Sequence, residues 1–291
     1  MHTPLCGHAY GDPKQFVERA ARRRLSLVTF TCHVPMNDPA AFGGPTIRMH
    51  RNQLDEYRSL IAAAAEHGKS LGVEVLCGLE AEIFPDPVLM APMGEVLRSH
   101  PWDFVIGSLH HQLPIYRAWL RVRGYEQDRE IIDTYFRHLA EAVPSKRYHT
   151  IGHPDVIRIY GTVEHFNPAD HEASIRAFLY ALVENDVCME VNTSGLIKGV
   201  YQVHPDPLIL QWASKAGVKL TMGSDAHRPE QVGQRFEEVL ELLRDTGFEH
   251  LHYFRGGLRQ QVPIEAALAA VPEEDDDEDA FAPAPAPTAE G

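Results

Sequence analysis

Seven short apolar runs recur along this chain, and stretches of helical character separate them. The runs lie at 25–30, 73–79, 104–107, 148–151, 187–191, 219–223 and 251–254. The spacing of apolar residues, caps and Gly/Pro breaks predicts helices over 13–24, 51–67 (ended by Gly68), 87–99, 127–143, 168–185, 205–216 and 230–246. Strands that alternate with helices of ten or more residues define an α/β fold with a parallel sheet. Seven such strands fit a barrel better than an open sheet. No Gly-x-Gly-x-x-Gly follows an early strand, which weighs against a dinucleotide fold.

Parallel barrels keep their chemistry at the C-terminal ends of the strands. In this chain the runs end in ligand-type residues: His33, Glu80, His110, His153, and the pair Asp225 and His227. The runs at 187–191 and 251–254 supply none of these. The N-terminus adds His2 and His8. Asp225 and His227 stand two apart just past a strand, so in extended chain both side chains point the same way. Singly each residue has a bland explanation as a cap, a turn or a surface group. Jointly they would form a polar core that is costly to bury unless metal or hydrogen bonds satisfy it. The 17 histidines point the same way, since metal ligation is a common use of excess histidine.

Imidazole mixed with carboxylate suits Zn, Fe or Mn rather than Ca or Mg alone. There are too many ligands for one tetrahedral ion, so a polynuclear site is expected, with Glu80 bridging two ions. Such clusters perform in-line displacement at phosphorus.

Composition narrows the classes further. A 291-residue chain with 44% hydrophobic residues can bury one substantial core. No apolar run reaches membrane-spanning length, and Met1–Pro4 opens no signal peptide. The four cysteines show no CxxC spacing, so a disulfide framework is not expected and a cytoplasmic protein is the simplest reading. The net charge of -14 is concentrated at the end, where residues 273–291 hold eight acids and no Lys or Arg. The body is therefore only mildly acidic, which argues against nucleic acid as a partner and leaves small phosphate esters open. The chain divides into a catalytic domain at 1–271 and an acidic, Pro/Ala-rich tail at 272–291 that is expected to be disordered.

The motifs carry a resemblance. His2-Thr3-x-x-x-x-Gly7-His8-Ala9, Thr31-x-His33, Gly78-Leu79-Glu80-Ala81, Gly107-Ser108-Leu109-His110, Ile151-Gly152-His153-Pro154 and Gly223-Ser224-Asp225-Ala226-His227 resemble the PHP (polymerase and histidinol phosphatase) superfamily. The likeness is greatest to its histidinol-phosphatases and covers about residues 2–265. It implies a distorted seven-stranded (β/α) barrel with up to three divalent transition metals. By position, His2, Glu80 and Asp225 would hold the first metal. Glu80, His110 and His153 would hold the second, and His8, His33 and His227 the third. Glu80, Asp225 and His227 would be central to catalysis. The implied reaction is hydrolysis of L-histidinol phosphate, a late step of histidine biosynthesis. Arg48, Arg158, Lys198 and Arg228 lie in loops near ligands and are the candidates to grip phosphate. The alternatives are another PHP phosphoesterase acting on small phosphates or nucleotides, or a catalytically impaired PHP module.

Two departures stand out. The family usually opens Asp-x-His-x-His, whereas this chain begins at Met1-His2, without residues for a first strand. The expectation is a misassigned start codon, checked by reading the gene upstream in frame. Position 32 is Cys where the family usually has Asp, a residue expected to orient a neighbouring imidazole.

Overall fold

The computed structural model describes residues 1–36, 42 and 47–271. The expected tail at 272–291 lies outside these residues, as does much of the 34–50 loop. Seven parallel strands follow the seven predicted runs: β1 (Leu27–His33), β2 (Glu74–Glu82), β3 (Phe104–Ser108), β4 (Thr150–Ile151), β5 (Cys188–Asn192), β6 (Leu220–Gly223) and β7 (His250–Arg255). They lie side by side in chain order, each pairing parallel with the next. An eighth strand, β8 (Leu258–Pro263), pairs antiparallel with β7. The sequence reading stopped at residue 254 and missed this hairpin, because 258–263 is half exposed and lacks an apolar run.

The helices are α1 (Pro13–Arg22), α2 (Leu54–Leu71), α3 (Pro87–Ser99), α4 (Pro114–Val122), α5 (Asp128–Ala142), α6 (Glu172–Asn185), α7 (Pro207–Ala216), α8 (Phe236–Asp245) and α9 (Ile264–Ala270). α1 begins where Asp12 caps it and Pro13 fits the first turn. It buries Phe16, Val17 and Ala20, with Phe16 packed 5.8 Å from Phe30 of β1. Burying each large side chain contributes about 1.5–3 kcal/mol.

Two helix readings are corrected. α2 runs through Gly68 and ends at Gly72, which adopts φ 71°. Gly68 serves packing instead, since a Cβ there would meet the Val73 carbonyl oxygen at 2.4 Å. The segment 111–126, for which the sequence predicts no helix, contains α4; its Pro114 stands at the first helical position, and Tyr116 and Leu120 are buried on one face.

The sheet is rolled. Phe104 of β3 and Phe254 of β7 stack with centroids 5.4 Å apart, although four strand spacings separate them. A flat sheet would hold them about 19 Å apart at about 4.8 Å per strand. Within the described residues β1 and β8 are the outer strands, so the sheet is not closed by pairing. Residues 1 and 2 lie between its two sides: Met1 O accepts from Thr31 N (2.8 Å), and His2 N donates to Ala226 O (2.9 Å). Among the described residues no helix is long and apolar enough to cross a membrane.

Candidate metal centre

Strand register sets the first contacts. Parallel pairing of β1 with β2 places His33 beside Glu80. Glu80 is buried, and four imidazoles surround its carboxylate. His2 Nε2 lies 3.4 Å and His33 Nδ1 3.3 Å from Oε2; His110 Nε2 lies 3.3 Å and His153 Nε2 3.2 Å from Oε1. His2 Nε2 also lies 3.2 Å from Asp225 Oδ1. His227 Nε2 faces His8 Nε2 at 2.8 Å, while each ring's Nδ1 bonds a backbone carbonyl, at Asp225 and Cys6 respectively.

All eight predicted ligands therefore meet at one end of the sheet. Their donor atoms cluster within 4.8 Å in three such groups: His2/Asp225/His227, His2/His33/Glu80 and Glu80/His110/His153. The last group matches one implied by the resemblance. The other two share the ligands differently, since His33 sits with Glu80 and His227 with Asp225. Asp225 has φ 49° and His153 φ 24°, so 225–227 is not the extended segment the two-residue spacing suggested. Backbone held in the left-handed region at non-glycine positions is strain of the kind that clusters at functional sites.

The electrostatics show what the cluster lacks. Burial opposes charge on His2, but hydrogen bonds to Asp225 and Cys32 and the charge of Glu80 outweigh it and raise its pKa to about 9. Burial likewise opposes charge on His110, and the carboxylates of Glu82 and Glu80 raise it to about 10. Burial and the charge of His2 push His227 down to about 3 and also lower His8. His33 is lowered too, by burial despite the pull of Glu80. Protons on two imidazoles thus balance the buried carboxylates, and His8, His33 and His227 present bare nitrogen. His33 Nδ1 lies near Glu80 but makes no hydrogen bond, and His153 Nδ1 is buried without a partner. At His8–His227 two ring nitrogens face each other at 2.8 Å with both Nδ1 atoms already engaged. Orphaned donors, opposed imidazoles and central carboxylates are a set that divalent transition metals fit.

Supporting side chains surround this set. Glu82 accepts from His110 N (3.2 Å), lies 2.9 Å from its Nδ1 and forms a buried ion pair with Arg48. Cys32 Sγ lies 3.1 Å from Thr3 N and Thr3 Oγ1, while Cys6 Sγ lies 3.5 Å from His2 Nδ1. Position 32 thus faces the turn that carries His2.

The expected phosphate-gripping residues separate clearly. Only Lys198 reaches the cavity of about 420 Å³ that opens on the cluster, and its Nζ lies 3.0 Å from Asp225 Oδ2. Arg48 is buried and bonds Phe42 O as well as Glu82. Arg158 bonds Val203 O and Gln202 and pairs with Asp155. Arg228 lies over the Tyr10 ring at 4.7 Å.

Sequence reasoning missed two buried groups. Glu190 of β5 accepts from His153 N (2.9 Å) and from Asn192 Nδ2 (3.0 Å). Gly223 makes room for it, since a Cβ there would stand 2.6 Å from Glu190 Oε1. Burial raises the Glu190 pKa. His204 lines the cavity from the loop before α7. A lone acid in the apolar run 187–191 was the available signal for Glu190.

A rolled parallel sheet whose strand ends gather imidazoles and carboxylates defines a metal-binding α/β protein. The chain belongs to the PHP domain family, which matches residues 1–194. It is 31% identical over 258 residues to the probable histidinol-phosphatase of Deinococcus radiodurans, covering 85% of this chain and 92% of that one. It is 24% identical to the histidinol-phosphatase of Bacillus subtilis, covering 83% and 97%. Among solved structures it is similar to histidinol phosphate phosphatase from Lactococcus lactis, complexed with zinc, L-histidinol and phosphate. That match has a TM-score of 0.71 at 21% identity and covers 89% and 97% of the two chains.

Proposed function

We propose that this chain is a metal-dependent phosphomonoesterase that converts L-histidinol phosphate and water into L-histidinol and phosphate. The observation that carries the reading is the gathering of six imidazoles about the carboxylates of Glu80 and Asp225, with Lys198 on Asp225 in the cavity that opens on them. The named activity of relatives matched along most of their length supports the choice of substrate.

His2, His33, His110 and His153 around Glu80, with Asp225, His8 and His227, would hold two or three ions. Bound there, divalent metal supplies a nucleophilic hydroxide at neutral pH and neutralises charge on the phosphoryl oxygens. The chain's own groups do the rest. Lys198 stands beside Asp225 as the cation that meets phosphate on entry. Asp225 keeps Lys198 charged, and the carboxylate's own pKa stays low through the charges of Lys198 and His227, against its burial. Glu82 fixes the His110 ring through Nδ1 and leaves Nε2 for metal. Buried Val156 and half-buried Ile197 give the cavity an apolar wall.

The test is phosphate release from L-histidinol phosphate by protein supplied with Mn or Zn, run beside nucleoside monophosphates. Turnover that needs metal and prefers histidinol phosphate is expected. Equal or faster release from nucleotides would replace the proposed substrate, and no release from any ester would end the phosphatase reading.

A further inference from the structure

The end of β5 carries no predicted ligand, yet a histidine is delivered there from elsewhere. Asn192, its last residue, forms a two-bond bridge with His204: Asn192 N donates to His204 O (2.7 Å), and His204 N donates to Asn192 O (3.0 Å). This pins the 201–205 loop to the mouth of the barrel. Gly195 then lets the ring in, since a Cβ there would lie 2.8 Å from its Cδ2 and 3.0 Å from its Nε2.

The ring is oriented from behind. His204 Nδ1 lies 2.6 Å from Asp155 Oδ1. Asp155 is completely buried, and its other oxygen accepts Asp206 N at 2.7 Å and pairs with Arg158 Nε at 2.9 Å. A carboxylate so held fixes the ring through Nδ1, which also lies 3.2 Å from Arg158 Nη2, and leaves Nε2 outside that network. His204 is 1% exposed, and Nε2 has no hydrogen-bond partner in the protein. It lines the same cavity as Lys198, His153 and Glu80. A buried nitrogen without a partner is destabilising. A substrate atom that completes the bond explains why the site keeps it.

We infer that His204, oriented by Asp155, is the general acid that protonates the ester oxygen of the departing alcohol. The inference rests on the phosphomonoesterase reading above. In the step, the oxygen of water bonds to phosphorus and the phosphorus–ester oxygen bond breaks. The bonding pair stays on the ester oxygen, which takes the proton from His204 Nε2. The proton released by the attacking water restores the imidazolium, so the net change is ester plus water to alcohol plus phosphate. Burial lowers the pKa of the free imidazole, against the pull of Asp155. A phosphate dianion on the Nε2 side adds the second anion that stabilises the charged ring. A primary alkoxide is a poor leaving group, so protonation there contributes about 10²–10⁴-fold.

The experiment compares kcat/KM for L-histidinol phosphate, simple alkyl phosphates and aryl phosphates such as p-nitrophenyl phosphate. An aryl oxide leaves without a proton, whereas a primary alkoxide needs one. Wild type should show a shallow dependence of log kcat/KM on leaving-group pKa. His204→Gln should steepen it, with the loss on alkyl esters exceeding the loss on p-nitrophenyl phosphate at least tenfold at unchanged metal content. Asp155→Asn should steepen it less. A steep dependence already present in wild type overturns the assignment without needing the variant to fold. Equal losses on both ester classes also overturn it and leave the phosphatase reading standing. Absence of hydrolysis of every ester by metal-loaded wild type removes both.

Discussion

Arg48 and Glu82 form a buried ion pair, with the guanidinium 1% and the carboxylate 2% exposed. Glu82 also holds the backbone and ring of His110, so the arginine reaches the candidate metal site through an acid. This changes what Arg48→Ala should do. Removing one partner leaves Glu82 charged and buried, a loss of about 3–5 kcal/mol. The expected result is a lower urea midpoint and weaker metal retention, with KM for the proposed substrate little changed in the folded fraction. A steep rise in KM with stability intact would return Arg48 to the phosphate.

In the proposed reaction Lys198 is the group placed to meet phosphate. Among the described residues lining the cavity it is the one lysine or arginine, and its ammonium sits on Asp225. Lys198→Ala should raise KM about tenfold or more, while Lys198→Arg should recover part of the loss. Steady-state kinetics and competition by inorganic phosphate measure both. Unchanged KM and unchanged phosphate inhibition in the alanine variant would remove Lys198 from the binding step.

Much of this arrangement was legible because strand periodicity and metal chemistry both act locally. Each parallel strand announced itself as an apolar run, and the ends of five of the seven announced ligands. The short hairpin strand β8 did not, since an exposed strand has no apolar run to show. The arginines were misread for a different reason. Sequence proximity to a ligand does not say whether a guanidinium faces the cavity or a buried acid, and Arg48 and Arg158 face acids. His204 was missed because it reaches β5 through a backbone bridge from a later loop, a contact that no local pattern encodes.

Glu80 should be the most sensitive position. Its two oxygens lie 3.2–3.4 Å from nitrogens of His2, His33, His110 and His153. Glu80→Gln keeps the shape and removes the negative charge that cations would share. Turnover should fall by two or more orders of magnitude, and metal per chain should drop below that of wild type while circular dichroism stays native. Elemental analysis of wild type purified without chelator should give at least two transition-metal ions per chain. Fewer than one would sink the polynuclear centre, and an unchanged rate in the glutamine variant would take Glu80 out of it.

Two further histidines should set the acid stability of the metal-free protein. His111, next in the chain to His110, and His138 are buried outside the predicted ligands, and burial lowers both from the ordinary value of 6.5 to about 3. His111 is held by Val156 O at 3.0 Å, and His138 Nδ1 lies 3.0 Å from Tyr116 Oη. Both are neutral when folded and take a proton more readily when unfolded. Protons therefore favour the unfolded chain between the two pKa values. Stability is fully present above pH 6.5 and declines as pH falls from 6.5 toward 3, by up to about 1.4 kcal/mol per unit for each histidine. His138→Phe removes one of these groups and loses the bond to Tyr116, so the variant should be less stable than wild type at pH 7. The gap should narrow as pH is lowered to 5, because the variant no longer has that proton to take up. Chelated protein is used for both, so that titration of the metal ligands cancels in the difference. Urea unfolding at several pH values reads the gap directly, and a gap that stays constant from pH 7 to pH 5 would show that His138 is not held neutral by the fold.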